Sequence, residues 1–160
     1  MARASQFDPY RTFKFRVRFG DTTVAGITKV SALTRTVTPN ELKEGGDLLA
    51  PRHNPGGVRY EDVVLEKGLT ASNEFEEWAN AVLQLQNDPG SVTGFKRTVY
   101  IDVFDLKGNP QDRKAQPIAS YKLNRCWITR YSALPELDAS SGGVGIQSVT
   151  LSHEGWERVI

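Results

Sequence analysis

Apolar and charged side chains alternate without a fault from Phe13 to Phe19. Phe13, Phe15, Val17 and Phe19 take one face, and Lys14, Arg16 and Arg18 take the other. A period of two describes a half-buried β-strand, since helical spacing would mix the two sets. Gly20-Asp21 is a turn signal, and Thr22 to Val30 reads as a second strand, so a hairpin is expected. The β-branched stretch Leu33 to Thr38 predicts another strand. Strands are also predicted over Tyr60–Lys67, Arg97–Asp105, Ala119–Ala133 and Ile146–Glu154, with Trp156 packing near the end. In the long run, Tyr121, Leu123, Trp127 and Tyr131 are expected to share a face. Over Arg97–Asp105, Val99, Ile101 and Val103 oppose Tyr100 and Phe104, so both faces should be covered.

Helical spacing occurs between Asn73 and Gln86, where Phe75, Trp78, Ala79, Val82 and Leu83 form one stripe. Asn73 is placed to cap, Glu74, Glu76 and Glu77 fill the first turn, and Asp88-Pro89-Gly90 stops the run. The stripe is expected to pack on the domain's own core.

Pro39 to Val58 stands apart, with three prolines and four glycines. Its first part, to Glu44, should continue a strand, and strand structure should resume after Val58. Asn54-Pro55-Gly56-Gly57 reads as turn chemistry. The middle is then a long projecting loop, and such loops usually serve binding or are disordered. Leu48 and Leu49 on it would need cover from another surface. The tally is a mainly β protein of about seven strands, a closed β-barrel or β-sandwich with one flanking α-helix, forming a single domain over 1–160.

Composition narrows the function. The 160 residues are 39% hydrophobic and 24% charged, ordinary for a globular chain. No run approaches the ~18 apolar residues of a membrane span, so no stable membrane insertion is expected. The first residues lack an apolar segment, so the expectation is no secretory signal and a cytosolic site of synthesis. Net charge is +1, too little for the whole molecule to bind nucleic acid by charge. Residues 1–35 nevertheless carry seven basic side chains against two acidic, and residues 41–77 nine acidic against four basic. Such segments can meet within one copy or between copies.

Catalytic chemistry is thin. His53 and His153 have no ligand-spaced partner, so no metal or cofactor is expected. Cys126 is the one cysteine, read as a buried thiol rather than a nucleophile. Asp102 and Asp105 point to opposite strand faces, which is wrong for paired acid–base work. Gly142-Gly143-Val144-Gly145 precedes a strand and lacks the helix of a phosphate-binding loop. Lys14, Arg16 and Arg18 suit a salt-bridged strand face, a partner's acidic surface or a phosphate track; the last defines an alternative, a β-barrel ligand- or nucleic-acid-binding module.

Several stretches resemble the tail-tube proteins of contractile-tailed phages and of extracellular contractile injection systems, which are related to type VI secretion tubes. They are Asp8 to Val17, Gly26 to Leu33 followed by Glu44-Gly45-Gly46-Asp47, Glu74 to Ala79, Trp127 to Ala139, and Val149 to Glu157. The resemblance implies a non-enzymatic structural subunit that forms stacked hexameric rings around a central channel. It implies partners: further copies, a surrounding sheath protein, baseplate and tube-cap proteins, and DNA or a protein effector as cargo. Assembly would occur in the bacterial cytoplasm. Residues expected between subunits are Lys14, Arg16, Arg18, Glu44, Gly45, Gly46, Asp47, Leu48 and Leu49.

Overall fold

A computed structural model describes residues 14–42, 52–69, 73–87, 95–105, 108–140, 142–143 and 145–160. Ten strands and one helix occur among them, rather than about seven strands. The order is β1 (Lys14–Phe19), β2 (Thr22–Val24), β3 (Ile27–Val30), β4 (Arg35–Leu42), β5 (Arg52–Tyr60), β6 (Val63–Gly68), α1 (Glu74–Asn87), β7 (Arg97–Phe104), β8 (Ala119–Ser132), β9 (Ile146–Ser152) and β10 (Trp156–Arg158).

The antiparallel sheet runs β2-β1-β7-β8-β9-β6-β3, with β10 also on β8. Thr22 to Val30 is thus two strands on opposite ends of the sheet. Ala25-Gly26 joins them, and Gly26 takes a φ of 80° that disfavours side-chain-bearing residues. Because consecutive strands end the sheet, it must curl round on itself. No ladder joins β2 to β3 among the described residues, so hydrogen bonding does not close a barrel.

β8 carries the curl. Its first half pairs with β7 and β10, and its second half with β9. The changeover sits at Arg125, whose φ of 50° is unusual for a side-chain-bearing residue. Register slips there, between the pairs Arg97↔Cys126 and Val99↔Leu123, and again between Ile128 and Arg130. Each bulge adds one residue and reverses which side chains face inward. Buried positions therefore run Leu123, then Cys126 and Ile128, while Trp127 is only half-buried. The expected common face of Tyr121, Leu123, Trp127 and Tyr131 does not form.

The core gathers Val17 and Phe19 of β1, Val99 and Ile101 of β7, Val63 and Leu65 of β6, and Val149 and Leu151 of β9. α1 covers one end. Phe19 meets Trp78 edge-on at 4.7 Å and Phe75 at 6.2 Å, and Trp78 Nε1 donates to the Phe95 carbonyl at 2.7 Å. Leu83, expected on the same stripe, is exposed instead. Lys67 is fully buried beneath the helix, with Nζ 3.4 Å from Glu74 Oε2 and 5.1 Å from the Phe75 ring centre. That places a countercharge beside a cation taken out of water.

Candidate assembly site

Two features separate this chain from a plain β domain: a hairpin arm and a buried charge cluster. The arm is β4 paired with β5 as a two-stranded sheet of its own. Strand structure resumes at Arg52, not after Val58, so the described flanks of the expected loop are a ladder. Asn54-Pro55-Gly56-Gly57 is strand rather than turn. The register slips between the pairs Val37↔Val58 and Pro39↔Pro55, which sets Gly56 and Gly57 opposite Thr38. A methyl group on Gly56 would lie 2.5 Å from the Thr38 carbonyl oxygen, so the close approach requires glycine.

Paired residues share a face, and the register sorts the arm into two. One face carries Arg35/Tyr60, Val37/Val58, Pro39/Pro55 and Glu41/His53; the other carries Thr36/Arg59 and Asn40/Asn54. Almost every described arm side chain is exposed. An isolated two-stranded hairpin is marginal in water. The root is firmer: Glu61 N donates to the Thr34 carbonyl at 3.1 Å, and Arg35 lies 5.6 Å from the Trp156 ring centre. His153 Nε2 lies 2.9 Å from the Glu61 carbonyl, while its Nδ1 accepts from Gly155 N at 3.2 Å. Glu44, Gly45, Gly46, Asp47, Leu48 and Leu49 lie outside the described residues.

The basic stripe of β1 is met from within the chain. Asp102 of β7 is fully buried and stands directly opposite Arg16. It accepts from Arg16 Nε at 3.0 Å, Arg18 Nε at 2.8 Å and Ser120 Oγ at 2.7 Å. Burial alone would raise its pKa. Hydrogen bonds from Arg18, Ser120 and Arg16, with the Arg18 charge, outweigh that and hold the carboxyl below its ordinary value. Arg16 also donates to the Asp112 carbonyl at 3.1 Å, and Lys14 Nζ to the Gly108 carbonyl at 3.0 Å. Arg16 lies over Phe104 and Arg18 over Tyr100, so the second face of β7 is covered inside the chain. Arg18 still reaches the surface, its side chain 27% exposed. A pattern of alternating charge located this stripe, but no sequence signal named its partner, 84 residues away.

Burial pushes the Cys126 thiol up to about 12, outweighing the opposing effect of a backbone hydrogen bond with Val99. A thiol so protonated is a poor nucleophile. Among the described residues, no group of three or more His, Cys, Asp or Glu side chains could hold a metal. No helix among them is long and apolar enough to cross a membrane.

The family model for the T4-like virus tail tube protein gp19 matches residues 11–157. The chain belongs to this family of tail tube proteins. Solved structures share the fold. A chain of the anti-feeding prophage (AFP) baseplate, six-fold symmetrised, has TM-score 0.75 at 19% identity, covering 95% of this chain and 96% of that chain. A chain of the PVC sheath–tube complex, an extracellular contractile injection system in its extended state, has TM-score 0.76 at 19% identity, covering 96% and 93%. Hcp1 from Flavobacterium johnsoniae has TM-score 0.57 at 13% identity, covering 92% and 95%. No curated protein sequence matches the chain.

Proposed function

We propose that this chain is the structural subunit of the inner tube of a contractile phage tail or phage-tail-like injection particle. Six copies form a ring, rings stack into a tube, and the central channel carries DNA or a protein effector. Sheath, baseplate and tube-cap proteins are its partners, and assembly takes place in the bacterial cytoplasm. The curl of the sheet, short of a closed ladder in one copy, is completed as a barrel-like wall by ring neighbours.

The observation that carries this reading is the family match over residues 11–157. The uncovered arm agrees with it, since a hairpin exposed on both faces gains most from a second copy. The six-fold AFP baseplate and the PVC sheath–tube complex support the ring and the sheath. The arm is the principal contact between copies, and Glu44, Gly45, Gly46, Asp47, Leu48 and Leu49, which lie between its strands in the sequence, contribute to it. Arg18, with Lys14 and Arg16 behind it, contributes at the rim. The alternative of an oligonucleotide-binding module loses its support, because Arg16 and Arg18 are already held by Asp102.

Size-exclusion chromatography with negative-stain microscopy tests the proposal. Rings or tubes are expected from the purified chain. A monomer at high concentration that is also missing from the tube of its native particle would refute it.

A further inference from the structure

Two backbone groups fix the state of one histidine. His153 follows β9, and its ring reaches two separate segments. The Gly155 N–H can only donate, so Nδ1, 3.2 Å away, presents its lone pair. The Glu61 carbonyl can only accept, so Nε2, 2.9 Å away, carries the hydrogen. One species meets both contacts: the neutral ring with its hydrogen on Nε2. A second proton would go on Nδ1 and set two donors face to face. His153 is half-buried and within reach of protons, whereas Gly155 is buried. A buried N–H that loses its acceptor is left unsatisfied.

What the histidine ties together is the arm root. Glu61 follows Tyr60, the last residue of β5. Gly155 lies so close to the Tyr60 ring that a side chain there would come within 3.2 Å of it, and its φ of 121° disfavours side-chain-bearing residues. Trp156, next in the chain, meets Tyr60 edge-on at 6.3 Å, and Arg35 lies over it at 5.6 Å. His153 meets Tyr60 edge-on at 5.9 Å. Trp156 Nε1 is buried with no hydrogen-bond partner among the described residues, so no hydrogen bond of its own holds the indole in place.

The other charged groups nearby are accounted for. Glu61 and Asp62 are exposed beside the accepting carbonyl. Glu154 lies 3.1 Å from Lys96 and 3.4 Å from Arg125, and Glu157 lies 4.0 Å from Lys122. Carboxylates ordinarily titrate at about pH 4 and lysine, tyrosine and arginine at about pH 10 or above, so histidine is the side chain that gains charge between pH 7.5 and pH 5.5. His53, the second histidine, is exposed on β5 opposite Glu41.

We propose that His153 is a pH-sensitive latch on the arm. Neutral, it clamps the turn between β9 and β10 to the arm root. Protonated, it keeps Glu61 and releases Gly155, and with it the seat of Trp156 against Tyr60. The latch lies within one copy and stands apart from the tube reading. On that reading, mild acid loosens the arm that joins the copies.

Two measurements test it, both in a His53→Gln chain so that one histidine remains. Hydrogen exchange is followed by mass spectrometry at pH 7.5 and pH 5.5, corrected for the intrinsic pH dependence of exchange. Peptides covering 56–62 and 153–158 should lose about tenfold in protection at pH 5.5, the size expected when a buried donor loses its acceptor, while α1 keeps its own. Adding His153→Phe, which keeps a ring beside Tyr60, should give low protection that no longer changes with pH. Constant protection in the His53→Gln chain, an equal fall in α1, or an equal fall after His153→Phe overturns the proposal.

The second measurement leaves residue 153 unaltered, so it decides even where His153→Phe does not fold. Nitrogen-15 NMR of the labelled ring should show the hydrogen on Nε2 at pH 7.5. A hydrogen on Nδ1 at that pH, alone or with one on Nε2, overturns the latch. Neither measurement depends on assembly, so an absence of rings bears on the tube reading alone.

Discussion

Arg16 and Asp102 stand directly opposite each other on β1 and β7, and the arginine donates to the carboxylate at 3.0 Å with both side chains buried. Arg18 and Ser120 complete the set on the same two oxygens. Replacing Asp102 by Asn removes the anion that Arg16 and Arg18 share and leaves Arg16 charged in a buried site. Breaking a buried pair from one side costs about 3–5 kcal/mol. Urea melts of Asp102→Asn should therefore show a loss of that size. A loss below about 1 kcal/mol would mean that Arg16 finds water in the native chain.

The same carboxylate makes stability depend on pH. Its native pKa lies below the ordinary value of 3.8, so the folded state binds its proton more weakly than the unfolded one. The stabilisation is fully present above that ordinary value. It is lost as pH falls through the lower native value. Stability measured between pH 5 and pH 2 should fall in the parent and fall less steeply in Asp102→Asn. Parallel curves would exclude Asp102 as a determinant.

Gly56 and Gly57 are adjacent in the arm yet should respond oppositely. A methyl group on Gly56 meets the Thr38 carbonyl at 2.5 Å, whereas one on Gly57 meets nothing within 4 Å. Gly56→Ala should disrupt the bulge and impair tube formation while leaving the melting temperature of the core within a few degrees. Gly57→Ala should assemble normally. Equal assembly by the two variants would show that the arm tolerates a shifted register.

Much of the architecture could be read from period and punctuation. The alternation at Phe13 to Phe19 located β1, and Asn73 with its acidic first turn placed α1 within one residue at each end. Family membership was legible from stretches spread along the chain. Three things were not. The β8 bulges leave no trace in its apolar spacing, because the residues at them, Asn124-Arg125 and Thr129, look like ordinary solvent-facing positions. The proline- and glycine-rich arm read as a loop, although prolines survive on a hairpin that is exposed at both edges. The partner of Arg16 and Arg18 is a single Asp whose neighbours on β7 are apolar, and pairing over such separation has no local signature.

Cys126 offers a direct measure of how well that curl is held. It is fully buried, one residue past the strained Arg125, and its thiol donates to the Leu123 carbonyl at 3.5 Å. With the thiol near 12, about one molecule in ten thousand carries a thiolate at pH 8, against about one in four for a free cysteine. A thiol-disulfide reagent at pH 8 should label the native chain more than about a thousandfold more slowly than the urea-unfolded chain. Arg125→Gly should slow labelling further, since glycine accepts the positive φ without strain. Rapid labelling of the native chain would show that β8 opens at its changeover between β7 and β9. The two halves of the sheet would then be separate folding units rather than one.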